Sequence, residues 1–202
     1  MRKLGFPPRP RTKVAWQARR KNSEIKADLI EPELHRLKCF SVLDVGCNAG
    51  AVSRRVSHAR FVVGLDGNLD TSGFDNPFDG VALGQVRIDL PFLETIPAFD
   101  AVLLLSVHHQ WYAKMPHKDA DSLFAALINK AKKAVFVEFA AINEKYGGDQ
   151  GFVDNQPESV VDYAMRFLTR FTKNECVKYL GATPEYPGKE SYRYMFLIDQ
   201  SQ

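Results

Sequence analysis

Three carboxylates and a pair of neighbouring histidines are the residues whose types and spacing could do chemistry. Asp44 stands in Val42-Leu43-Asp44-Val45-Gly46-Cys47-Asn48-Ala49-Gly50, a run in which an apolar stretch meets two glycines. Asp66 follows 22 residues later in Asp66-Gly67-Asn68, and Asp89 lies in Arg87-Ile88-Asp89-Leu90. Gly46 and Gly50 let the backbone approach a ligand that any Cβ would obstruct. A carboxylate before the first glycine suits a cationic ligand and not a pyrophosphate. A carboxylate where Asp66 stands can accept both hydroxyls of a ribose, as in other nucleotide-binding α/β folds. Asp89 is placed to meet an adenine amino group. Each Asp taken alone reads as a turn or helix cap. Three at the ends of three successive strands read as one site.

His108 and His109 follow the most apolar run of the chain, Phe99 to Ser106. Imidazole, with an ordinary pKa of about 6.5, is suited to taking a proton from a hydroxyl near neutral pH. A carboxylate or phosphate acceptor would need no base, and the same ring could then only position it. Adjacent side chains diverge, so at least one of the two is expected to pack at the strand end. Trp111, Tyr112 and Tyr146 fall in loops expected on the same edge. They could wall a pocket or stack a base, and packing explains them as well. Glu138 could orient an imidazole, bind substrate, or form a structural ion pair. His108, His109 and His117 lack the acid pattern of a metal site, and no metal is expected.

The elements that must position these groups alternate along the chain. Helical spacing of Ile25, Leu29, Leu34 and Leu37 predicts a helix over Ser23–Lys38, with Ser23 as N-cap and a break or bend at Pro32. Strands are expected at Ser41–Val45, Arg60–Leu65, Val81–Ile88, Phe99–Ser106, Ala134–Phe139 and Tyr192–Ile198. Helices are expected at Gly50–His58, Lys118–Lys132, Pro157–Thr169 and Lys173–Leu180, the last stopped by Gly181. Alternation of this kind predicts an α/β fold: a doubly wound, mostly parallel sheet with helices on both faces. Ligands of such sheets sit beyond the carboxyl ends of the strands, where the three acids and two histidines fall.

With 202 residues, 45% hydrophobic and 25% charged, the chain can bury a sizeable core and is not a disordered polymer. The apolar run Ala101–Leu105 is far shorter than the ~20 residues of a membrane helix. Pro7, Pro8 and Pro10 stand where a secretory signal would be apolar. Cys39, Cys47 and Cys176 are odd in number and widely spaced, which argues against a disulfide scaffold and for a reducing, cytoplasmic setting. Residues 1–22 carry eight bases, from Arg2 to Lys21, and no acid; the rest has 19 bases against 24 acids. The expected organisation is thus a basic, flexible arm over 1–22 and one domain over 23–202. Such an arm can track a nucleic-acid backbone, or be a solvated terminus or an organelle transit peptide.

From about Val42 to its last strand the sequence resembles class I S-adenosylmethionine-dependent methyltransferases, whose fold is Rossmann-like. Asp44-Val45-Gly46-Cys47-Asn48-Ala49-Gly50 is similar to that family's first motif, with Asn48 in place of the middle glycine. Asp66 matches its ribose-binding acid and Asp89 the acid beside adenine. The final helix, the turn at Pro187-Gly188 and the last run match its closing hairpin, whose last strand is antiparallel. The resemblance implies S-adenosylmethionine as methyl donor and S-adenosylhomocysteine as product. It places Asp44, Gly46, Cys47, Asn48, Gly50, Asp66, Gly67, Asp89, Leu90 and Ser106 at the cofactor. His108 or His109 is then the base, and Trp111, Tyr112, Glu138 and Tyr146 face the substrate. The Pro-Pro-aromatic motif of base amino-methyltransferases is absent after the fourth strand. Asp75-Asn76-Pro77-Phe78 only echoes it elsewhere. Leu105-Ser106-Val107-His108-His109 and Val135-Phe136-Val137-Glu138-Phe139-Ala140 are similar to a subset of bacterial and phage members. Some of that subset act on oxygen of cell-surface glycans or phosphates. The expectation is methylation of an oxygen of a small molecule, glycan or phosphate. The alternatives are a nucleic-acid methyltransferase guided by the arm, and a non-catalytic cofactor-binding subunit. A NAD-dependent dehydrogenase is disfavoured by Asp44 and by the missing third glycine.

Overall fold

The computed structural model describes residues 22–58, 60–69, 80–140, 157–184 and 191–201. The bases of the arm, Asp75–Phe78, Tyr146 and the Pro187-Gly188 turn lie outside the described residues. The elements in chain order are α1 (Asn22–Arg36), β1 (Ser41–Val45), α2 (Ala51–Arg55), β2 (Phe61–Asp66), β3 (Val81–Gln85) and α3 (Leu90–Thr95). They continue with β4 (Phe99–Leu104), α4 (His108–Lys114), α5 (His117–Ile128), β5 (Ala131–Phe139) and α6 (Pro157–Leu168). A 3-10 turn (Asn174–Cys176), β6 (Val177–Pro184) and β7 (Tyr192–Asp199) close the chain.

The strands form one seven-stranded sheet in the order β3-β2-β1-β4-β5-β7-β6. The five strands from β3 to β5 are parallel, and β7 runs antiparallel to both β5 and β6. Because strand side chains alternate faces, each central strand feeds two cores. Leu43, Val102, Leu104, Val135 and Val137 pack on one side with α5 and α6, through Leu123, Phe124, Leu127, Ala164 and Phe167. Val42, Ala101, Leu103, Ala134 and Phe136 pack on the other with Ala27, Ile30 and Leu34 of α1. This is the doubly wound arrangement, and it explains why β4 is apolar almost throughout and β5 is apolar from Ala134 to Val137. Among the described residues no helix is long and apolar enough to cross a membrane.

Four expectations are corrected. α1 runs without a break through Pro32, which sits on its exposed face. The buried Ala27 and Ile30 before it and Leu34 after it hold both halves to one core, offsetting the roughly 3 kcal/mol a helical proline costs. Lys173–Leu180 is not a helix. After the short turn it forms β6, which adds a seventh strand and pairs with β7 from Val177↔Ile198 to Pro184↔Tyr192. Its register slips between Tyr179 and Gly181, so the alternation that marks a strand is broken at that point. The third strand ends at Gln85 and not Ile88, and α3 follows, a helix that the alternation of apolar residues did not reveal. Trp111 and Tyr112 are not in a loop but in α4, which His108 and His109 open.

Candidate functional site at the carboxyl edge of the sheet

The glycine turn is built by the end of β1. Gly46 N–H donates to Leu65 O at 2.7 Å, Cys47 N–H to the same oxygen at 3.2 Å, and Gly50 N–H to Cys47 O at 2.8 Å. Gly46 and Gly50 both take φ +74°, and Asn48 takes φ +52°. A Cβ on Gly46 would lie 2.4 Å from Val107 Cγ2, so a residue just beyond β4 fills the space that this glycine leaves. Cys47 is buried, and burial pushes its thiol pKa up, which leaves an inert, protonated sulfur at neutral pH.

Asp66 sits at the end of β2, half-buried, and its carboxylate is fixed from two sides. Oδ2 accepts from Asn48 N–H at 2.8 Å and Oδ1 from Asn68 N–H at 2.7 Å. A carboxylate offers about four acceptor positions. Two therefore remain open beside Gly67 and the glycine turn. Asn48 Oδ1 is buried without a donor. Asp44, at the end of β1, is buried and accepts from Ser53 Oγ at 2.6 Å. Burial raises its pKa to about 6 against the Ser53 hydrogen bond and the charge of Lys26, with Asp66 adding to the rise. Asp89 is exposed and lies four residues beyond β3. It caps α3, accepting from Phe92 N–H at 2.9 Å through Oδ1, with exposed Leu90 beside it.

Beyond β4 the backbone turns at Ser106 with φ +61°, a conformation that costs a non-glycine residue about 1–2 kcal/mol. Its hydroxyl is held by three elements. It donates to Glu138 Oε2 on β5 at 3.1 Å and accepts from Lys26 Nζ on α1 at 3.4 Å and from Arg193 Nη1 on β7. Lys26 Nζ also donates to Glu138 Oε2 at 2.7 Å. Glu138 is fully buried. Burial alone would raise its pKa, but the charges of Lys26 and Arg193 outweigh this and lower it, so it stays ionised. The Ser106 hydroxyl has one proton and two lone pairs, and all three are engaged. It can meet a cofactor only through its backbone.

The two histidines part company as adjacent residues should. Both are buried. His108 enters the aromatic core, stacked on Tyr112 at 4.6 Å between ring centroids and packed by Phe139 at 4.5 Å and Phe167 at 4.6 Å. His109 lies where it feels the charges of Arg193, Glu138, Lys26 and Lys114. Burial lowers its pKa to about 4, with Arg193 reinforcing and Glu138 opposing. Tyr112 is buried too, and its hydroxyl donates to Asp121 of α5, which also pairs with Arg170. Trp111 is half-buried against the same core. The structure thus gathers Asp44, Gly46, Cys47, Asn48, Gly50, Asp66 and Gly67 around one turn, with Ser106 and Glu138 beside it. It sends His108 and Tyr112 into the packing.

Lys26 and Arg193 join this cluster although motif reading did not single them out, and Val107 stood in a quoted run without a role of its own. Lys26 did carry a signal. It stands four residues before Ile30, on the apolar side of α1, where a charge needs a buried partner. Arg193 carried none. Among the described residues no group of three or more His, Cys, Asp or Glu side chains is arranged to hold a metal ion.

The sequence matches no protein-family model and no curated protein. The structure, by contrast, is similar to solved methyltransferases. The bifunctional kinase-methyltransferase WbdD aligns over 91% of this chain and 40% of its own, with TM-score 0.65 and 20% identity. The chain thus spans about two fifths of that protein. Magnesium protoporphyrin IX methyltransferase (ChlM) from Synechocystis PCC 6803, solved with bound S-adenosylmethionine, aligns over 95% of this chain and 86% of its own, with TM-score 0.59 and 14% identity. The plantazolicin methyltransferase BamL aligns over 94% and 90%, with TM-score 0.61 and 13% identity. Sheet order, antiparallel closing strand and these likenesses agree: the chain has the class I methyltransferase fold.

Proposed function

We propose that the chain moves a methyl group from S-adenosylmethionine to an oxygen of a small-molecule, glycan or phosphate acceptor. One observation supports this above the others. Asp66 is held by Asn48 N–H and Asn68 N–H at the end of β2, with acceptor positions left over, beside a glycine turn in left-handed geometry. The residues present fit the cofactor. Asp66 would take the ribose hydroxyls, with Gly67 beneath. Gly46, Cys47, Asn48 and Gly50 would supply close backbone approach, and Asp44 would favour the cationic end. Asp89 and Leu90 would border the adenine. When bound, S-adenosylmethionine supplies an electrophilic methyl group on a sulfonium.

The acceptor side of this reading rests on the cluster past β4. In this reading His109, buried among the charges of Glu138 and Arg193, would be the imidazole that meets the acceptor. Its neutral form at physiological pH can accept a hydrogen bond from a hydroxyl or hold an already ionised oxygen. His108 serves this reading through α4, whose first turn it anchors. Trp111 would border the same edge. Cytoplasmic placement, argued from three unpaired cysteines, belongs to the same proposal. The test is a cell extract incubated with the protein and isotope-labelled methyl donor, followed by mass spectrometry. Label is expected on oxygen in the small-molecule or glycan fraction. Label in nucleic acid, or none above a no-enzyme control, would overturn the assignment.

A further inference from the structure

Lys26, Glu138 and Arg193 come from three elements far apart in sequence, yet all three meet the side chain of Ser106. Burying an ionised carboxylate between two cations is costly unless the geometry is good, and such a group is weak evidence for stability by itself. Here the geometry converges on a residue in left-handed backbone conformation. The next residue, Val107, packs its methyl against the backbone of Gly46. Ser106 O in turn accepts from Gln110 Nε2 at 2.8 Å, and Val107 O accepts from Gln110 N–H and Trp111 N–H, which starts α4. One contiguous chain of contacts therefore runs from α1 and β7, through Glu138 and Ser106, to Val107 and the glycine turn.

We infer that Lys26, Glu138 and Arg193 are positioning residues, which lock Ser106 so that Val107 holds the Gly46 turn in its ligand-ready shape. The inference rests on the proposed cofactor reading for its ligand, but not for its geometry. None of the three touches the cofactor in this account. They act through Ser106, whose hydroxyl they saturate. The α1 helix, which lies before the first motif in sequence, thereby becomes part of the site. Local coupling of this kind is carried by packed and hydrogen-bonded contacts that have discrete arrangements.

The test compares the full-length chain with Glu138→Gln and with the pair Lys26→Met and Lys26→Arg. Arg36→Met serves as control: it breaks the Arg36 to Asp199 and Glu33 ion pairs on the same helix, away from Ser106. Amide hydrogen exchange of the ligand-free proteins is read first. Segments 44–50 and 104–110 should exchange about tenfold faster in Glu138→Gln and Lys26→Met, and near the wild-type rate in Lys26→Arg. Affinity for S-adenosylhomocysteine, by titration calorimetry, should weaken about tenfold in the first two and recover in Lys26→Arg. Arg36→Met should lower the melting temperature and change neither reading. Exchange at 44–50 that stays at the wild-type rate in Glu138→Gln and Lys26→Met would reduce the cluster to ordinary structure and overturn the inference. A wild-type protein that fails to bind S-adenosylhomocysteine would instead sink the cofactor reading, with the exchange data still deciding the positioning role.

Discussion

His108 is stacked on Tyr112 with ring centroids 4.6 Å apart and planes 28° from parallel, and neither of its ring nitrogens has a hydrogen-bond partner. Phe124, Phe139, Tyr163 and Phe167 complete its surroundings. Desolvation, with a smaller contribution from His109, lowers its pKa to about 3. The folded-state value lies below the ordinary 6.5, so the unfolded chain binds the proton first. The native state therefore loses stability as pH falls from about 6.5 towards 3, by up to about 1.4 kcal/mol per pH unit for this residue. His108→Phe should remove that dependence. It should also stabilise the protein at pH 5, because a buried unpaired polar group costs about 1–3 kcal/mol. Urea unfolding of both proteins at pH 5 and pH 7.5 would show it. A variant as acid-labile as wild type would disprove this assignment.

Asp66→Ala should remove two hydrogen bonds to a ribose while keeping the fold. Charge-assisted hydrogen bonds are worth roughly 1.5–3 kcal/mol each, so affinity for S-adenosylhomocysteine should fall at least tenfold. Asp66→Asn should fall less, since its amide oxygen still accepts. Titration calorimetry reads both. Unchanged affinity in folded Asp66→Ala would leave that carboxylate as a turn residue bound to Asn48 and Asn68.

The fold was legible because its central strands are buried on both faces, and such strands are plain in sequence. Leu103 and Leu104 have no solvent side to be polar on. β6 was hidden because an edge strand with a register slip loses its alternation, and Tyr179 there is 42% exposed. α3 was hidden because it is short and begins at Leu90-Pro91 behind Asp89, whose capping role and whose expected role at adenine look alike in sequence. The glycine turn and Asp66 were legible because such geometry restricts residue type. Arg193 was not, because its partner Glu138 is 55 residues away; Lys26, a charge on the apolar side of α1, asked for a buried partner, but Glu138 is 112 residues away and nothing local names it. The separation of His108 from His109 needed the helix start, which decides which ring faces the core.

Gly46→Ala places a methyl group 2.4 Å from Val107 Cγ2 in a backbone conformation of φ +74°. The left-handed conformation costs about 1–2 kcal/mol and the overlap adds to it, so a loss of about 2–4 kcal/mol is expected. Val107→Ala in the same chain opens the space but leaves the backbone cost. The double variant should therefore be more stable than the sum of the singles by about 1 kcal/mol or more. Additive losses in urea unfolding would show that Val107 moves aside freely and does not hold the turn.

Asp44 offers the sharpest dependence on pH. It is buried at the end of β1, and burial raises its pKa to about 6, against the opposing Ser53 hydrogen bond and Lys26 charge. At pH 7.5 it is ionised, and below about 6 it takes up a proton. A carboxylate that favours the ammonium end of S-adenosylhomocysteine should lose that attraction as pH falls through about 6. Affinity should then drop by up to about tenfold per pH unit below that point, one proton being bound. His109, at about 4, titrates too low to mimic this. The stability effect has the opposite sign. The folded-state value lies above the ordinary 3.8, so the unfolded chain ionises first as pH rises, and the native state loses stability between about 4 and 6. Acidification through that window should thus weaken ligand binding through Asp44 while easing its cost to folding. Asp44→Asn should bind S-adenosylhomocysteine weakly and with a flat profile from pH 5 to 7.5. Calorimetry across that range checks it, and a wild-type profile as flat as that of the variant would remove Asp44 from the cofactor's cationic end.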